Sequence, residues 1–157
     1  MGFKGQYGIM DMECIQITKT HKCVRKLFIL TKNSSLNQEF YPCKRYSEIA
    51  RKYQESFRYC KKHVHRLKYD PWNYSPDCKV ANQIVKKFIN EKKVEFILYK
   101  GGDVERNMFE FIGIPSYNIE TLAGITKAGC HDPETEVRFH YNQLLKFGHL
   151  DQQIGVH

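Results

Sequence analysis

The sequence predicts an α/β fold, a mixed sheet with helices on both faces, on three observations. Three short runs of strand character occupy the first 43 residues, separated by turn residues, and read as a meander. Near Tyr46 the apolar spacing changes to that of an amphipathic helix. Beyond it, strand-length apolar runs alternate with helical segments, which adds parallel strands to the antiparallel ones.

Residues 7–18 (YGIMDMECIQIT) have an apolar core and end in β-branched residues, a strand signal with Gly8 as its weak point. Residues 24–31 give a second strand and 38–43 a shorter third, with a hairpin at Asn33-Ser34-Ser35. Tyr46, Ile49, Ala50, Tyr53, Phe57, Cys60 and Val64 then follow the i, i+3, i+4, i+7 rule of a helix. Its other faces carry Arg51, Lys52, Arg58, Lys61 and Lys62, a basic stripe. An ordered loop with two prolines and three aromatics covers 69–78.

A second helix is expected over 79–93, burying Val80, Ile84, Val85, Phe88 and Ile89. The continuous apolar run VEFILY (94–99) suits a central strand covered on both faces. Lys100-Gly101-Gly102 turns the chain into a helix over 103–112, with Val104, Met108, Phe111 and Ile112 inward and Gly113 as its C-terminal cap. Residues 117–122 read as another strand. The last helix starts at Asp132 as N-cap and Pro133 at the first helical position, and buries Val137, Tyr141, Leu144 and Leu145.

At 157 residues the chain is expected to form one domain across 1–157. Hydrophobic content of 41% without Pro/Gly/Ser-rich stretches or repeats excludes disorder and solenoids. Six scattered cysteines in a chain that needs no staple favour free thiols in a reducing compartment. The start of the sequence lacks the apolar core of a signal peptide and no run approaches a membrane span, so the expected location is cytoplasmic or nuclear. A formal net charge of +8 points to polyanionic partners.

Because side chains alternate along a strand, Ile9, Asp11, Glu13, Ile15 and Ile17 project to one face, and two acids interrupt an apolar row. Unpaired buried charges are costly, and hard oxygen ligands at this spacing suit Mg²⁺ or Mn²⁺. The alternative is a strand leaving the core with both acids solvated. Taken alone, D-x-E is a weak signal. Cys60, His63, His65 and Cys78 offer thiolate and imidazole ligands for a structural Zn²⁺, at a spacing that matches no standard finger.

Taken in order, the strand with Asp11-Met12-Glu13-Cys14, the meander, EFILYKGGDVERNMF, IGIPSYNIETL, and His131 followed five positions on by Glu136 resemble the DEDDh-type 3′-to-5′ exonucleases, which have a ribonuclease-H-like fold. The resemblance covers nearly the whole chain. It implies a metal-dependent exonuclease acting on single-stranded RNA or DNA, RNA favoured. It also implies two Mg²⁺ or Mn²⁺ ions held by Asp11, Glu13, Glu105 and Glu136, with His131 as general base. Asp103 is the reserve candidate for the position of Glu105, and Ile119-Glu120-Thr121 falls on the family's I-D-T.

Glutamates stand at Glu105, Glu120 and Glu136 where the family has aspartates, and Lys100 replaces its histidine. Lys52, Arg58, Lys61, Lys62 and Lys100 are the expected nucleic-acid contacts. The chain is also similar in style to the Maelstrom domain, a relative with the same fold in which many members lack the exonuclease acids. That similarity implies the competing function, a catalytically degenerate fold kept as an RNA-binding or protein-interaction module.

Overall fold

A computed structural model describes residues 2–16, 22–40, Arg58, 78–129 and 132–150, without the side chains of Ile15, Gln16, Lys22, Cys23, Asp103 and residues 78–80. In order, these residues form β1 (Tyr7–Gln16), β2 (Lys22–Thr31), β3 (Ser35–Glu39), α1 (Cys78–Glu91), β4 (Phe96–Tyr99), α2 (Asp103–Ile112), β5 (Ser116–Asn118) and α3 (Pro133–Lys146). The strands lie in the order β3-β2-β1-β4-β5. Pairing is antiparallel from β3 to β2 and from β2 to β1, and parallel from β1 to β4 and from β4 to β5.

The mixed α/β sheet expected from the sequence is present. Its expected first helix over 46–64, most of the loop over 69–78, and Lys52, Lys61, Lys62, Cys60, His63 and His65 lie outside the described residues. Arg58 is helical and exposed, and Cys78 is described only as the first backbone position of α1.

Alternation along the strands builds two cores. On one face Met10, Met12, Leu27, Ile29, Ile97 and Tyr99 meet Val85, Phe88 and Ile89 of α1 and Met108 and Phe109 of α2. On the other, Ile9, Phe28 and Leu98 meet Val137 and Leu144 of α3. Helices therefore cover both faces, and β4 is buried throughout as its unbroken apolar run predicts. At position 8 of β1 the crowded first core favours glycine, since a Cβ there would come within 2.9 Å of Ile97 Cδ1.

One irregularity interrupts the pairing of β1 with β2. Glu13 pairs with Lys26 but Cys14 with Val24, so Arg25 is an extra residue on β2, a β-bulge. The bulge reverses the alternation, placing Val24 in the α1 core while Lys26 stays on the α3 face with Phe28.

Three expectations need correction. The third strand runs over Ser35–Glu39 because Thr31 N–H donates to Ser34 O at 2.8 Å, closing the hairpin tightly so that pairing resumes at once. The last strand stops at Asn118: Ile119 N–H still donates to Tyr99 O, but Leu122 N–H donates back to Ile119 O and turns the chain. Phe111 is 74% exposed, and Phe109 takes the inward place assigned to it. The C-terminal cap at Gly113 and the N-cap at Asp132 stand where expected: Gly113 has φ 84°, and the Asp132 side chain accepts from Thr135 N–H. Among the described residues no helix is long and apolar enough to cross a membrane.

Candidate metal centre

The parallel pairing of β1 with β4 ends at Met10 opposite Tyr99, so Asp11 and Glu13 lie just beyond the carboxyl end of β4. In open α/β sheets this is where strand ends leave a crevice for ligands. Both residues face α3, as Ile9 does. Their side chains are buried, and Glu136 comes down from the first turns of α3 to meet them. One carboxylate oxygen from each of Asp11, Glu13 and Glu136 lies within 4.8 Å of the others.

Glu105 reaches the same region from the first turn of α2 and is buried. The turn before that helix makes room for it, because a Cβ on Gly101 would sit 3.2 Å from the Glu105 carboxyl carbon. Asn118 fixes the same turn by donating from Nδ2 to Gly101 O at 3.0 Å.

Gathering acids in a low-dielectric pocket opposes their ionisation. Burial, then a side-chain hydrogen bond with Glu136 and repulsion from Glu136, Glu13 and Glu105, holds the Asp11 carboxyl far above the usual carboxylate range. Burial, then repulsion from Glu136, Glu105 and Asp132, pushes Glu13 up to about 8. Asp11 is only 9% exposed, and its Oδ2 has no hydrogen-bond partner among the described residues. A buried carboxylate oxygen without a partner among the described residues, in a cluster of acids, fits a divalent cation, which would replace the lost hydration and invert the local electrostatics. The donor set is all oxygen, the preference of Mg²⁺ and Mn²⁺ and not of a thiolate-seeking ion.

The other sequence candidates divide. Lys100, half-buried at the end of β4, lies close enough to act on His140, as does Glu136. Glu120 and Thr121 are exposed and stand apart from the cluster. His131 and the side chain of Asp103 are not among the described residues.

His140, spaced i, i+4 from Glu136 on α3, is buried, and its Nε2 lies 3.1 Å from Thr126 O. Burial, aided by the charge of Lys100, holds that imidazole below its usual value against the carbonyl of Thr126 and the charge of Glu136. Asp132 caps α3. It also accepts from Lys26 Nζ at 2.9 Å, a contact across 106 residues that no local pattern announces. No protein-family model matches this chain, and no curated protein matches its sequence.

Proposed function

We propose that this protein is a metal-dependent 3′-to-5′ exonuclease of the DEDDh type, acting on single-stranded nucleic acid, RNA favoured, on a ribonuclease-H-like fold. One observation carries the reading: Asp11, Glu13 and Glu136, from two elements, bring one carboxylate oxygen each within 4.8 Å of one another, and a buried oxygen of Asp11 has no hydrogen-bond partner among the described residues. The strand order and directions, a three-strand antiparallel meander extended by parallel strands, agree with the fold that reading requires.

Asp11, Glu13 and Glu136 would hold the first ion, and Glu105, buried in the first turn of α2, would contribute to a second. Bound Mg²⁺ or Mn²⁺ supplies an activated water and charge stabilisation for the departing oxygen. The chain's own part is positional. Burial of Asp11, Glu13 and Glu105 limits access of bulk solvent, and α3 delivers the half-buried Glu136 with its backbone N–H tied to Asp132 O at 2.9 Å. His131, by the resemblance, takes the proton of the attacking water. Lys100 at the rim of the cluster contributes a cation for the substrate phosphate.

Lys100 also favours a second reading, in which a resident cation beside the acids marks a degenerate fold that binds RNA or protein without turnover. Trimming of a 3′-labelled single-stranded oligonucleotide in Mg²⁺ or Mn²⁺ separates the two. The expected result is stepwise shortening by the wild type and its loss in Asp11→Ala, with the far-UV spectrum unchanged. Equal trimming by the variant eliminates the nuclease assignment; salt-sensitive binding with no trimming by either protein selects the second reading.

A further inference from the structure

Lys26 is the cross-strand partner of Glu13 and shares its sheet face. It reaches Asp132 Oδ1 at 2.9 Å, with its side chain only 19% exposed. The other oxygen of Asp132 accepts from Thr135 N–H at 3.0 Å and Thr135 Oγ1 at 2.7 Å. The Asp132 carbonyl accepts the N–H of Glu136. A single residue thus ties β2, the cap of α3 and the backbone of a candidate ligand together. The β-bulge at Arg25 keeps Lys26 on this face while Val24 returns to the opposite core.

We infer that Lys26 and Asp132 form a positioning latch that sets the first turn of α3 over β1, so that Glu136 meets Asp11 and Glu13. The latch rests on the metal-centre reading for its functional meaning but not for its existence as a structural device. Neither residue is one of the candidate ligands. Both act through Glu136, in the way that groups behind the ligands of a metal site orient them.

Electrostatics alone makes the opposite prediction for Lys26. Removing a cation from beside four acids strengthens their attraction for a divalent ion. Loss of the latch weakens it, because Glu136 no longer sits at a fixed height. Asp132→Ser separates capping from latching, since serine caps a helix about as well as aspartate but cannot pair with Lys26.

The experiment is a Mn²⁺ titration of the full chain by calorimetry, comparing wild type with Lys26→Met, Lys26→Arg and Asp132→Ser, alongside hydrogen exchange at the amides of Glu136 and Val137 in metal-free protein. The latch predicts affinity weakened about 10- to 100-fold in Lys26→Met and in Asp132→Ser. Lys26→Arg, which keeps the charge and the pair, stays near wild type. Lys26→Met binding as tightly as wild type, or more tightly, overturns the latch. If wild type binds no Mn²⁺, the metal-centre reading fails and exchange decides the latch. Protection lost in Lys26→Met and Asp132→Ser but kept in Lys26→Arg supports it, and protection unchanged in all three overturns it.

Discussion

A carboxyl that is nine-tenths buried, with one oxygen unpartnered among the described residues, is poorly placed as a free anion, and at Asp11 three more acids surround it. The consequence is a pH dependence of definite sign. Glu13 moves from a usual value of 4.5 to about 8 in the folded chain, and Asp11 moves further in the same direction. Between the unfolded and folded values the native state holds more protons, so stability of metal-free protein falls as pH rises through that window. His140 works oppositely: its folded value lies below the usual 6.5, so it removes stability as pH falls. The informative comparison is therefore wild type against Asp11→Asn, which keeps the shape and removes one acid. Thermal unfolding in EDTA should show the variant more stable at pH 8 by on the order of 1 kcal/mol, a rise in Tm of about 2–4 °C. The advantage should shrink towards pH 5, and a variant less stable than wild type at pH 8 would show that the pocket is not electrostatically strained.

Within α2 the exposure of Phe111, which its spacing places inward, has a physical reason. Val104, Met108, Phe111 and Ile112 form one plausible helical face, but the observed face centres on Glu105, Met108, Phe109 and Ile112, which are also spaced i, i+3, i+4 and i+7. Choosing the first excluded an acid from the interior, as transfer energies advise. The structure includes it because the interior at that point is the acidic pocket. Phe109→Ala should cost about 3–5 kcal/mol, whereas Phe111→Ala should change stability by less than about 0.5 kcal/mol. Denaturant titration of both variants checks the assignment, and comparable losses would restore the original face. Gly101 adds an element-scale prediction, because a methyl there sits 3.2 Å from the Glu105 carboxyl carbon with no left-handed φ to strain. Gly101→Ala should leave Tm unchanged or slightly raised while weakening Mn²⁺ binding severalfold; unchanged affinity would remove Glu105 from the ligand set. Elements with strong local signatures were legible in this way: the Asp132 cap, the Gly113 stop and the covered strand β4 all stand where the residues place them. Asp11 and Glu13 were legible as a pair because alternation alone puts them on one face. What brings Glu136 to that pair is the docking of α3 across β1 and the ion pair from Lys26, neither of which has a local pattern to read.

At the scale of the molecule, a chain of net charge +8 gathers Asp11, Glu13 and Glu136 in one acidic cluster. The two signs have different tasks in the proposed reaction, since the basic exterior gathers a polyanion that the acidic pocket alone would repel. Lys52, Arg58, Lys61, Lys62 and Lys100 are the expected contacts, and Arg58 and Lys100 are the two of them that the structure describes, exposed and half-buried respectively. If all five neutralise phosphates of a single strand, counterion release sets a slope of log affinity against log salt near about −3.5, from roughly −0.7 per contact. Binding of a labelled single-stranded oligonucleotide in EDTA, followed by anisotropy across a salt series, measures that slope without cleavage. Asp11→Asn should give the same slope, because the pocket does not contribute cations, while Lys61→Ala combined with Lys62→Ala should reduce its magnitude by about 1.4. A slope indistinguishable from zero would mean that the positive charge is a solvated surface and that substrate is held by the pocket alone. An intact slope with no turnover in Mn²⁺ would instead assign the basic face to binding and leave the acids as a metal site without nuclease chemistry.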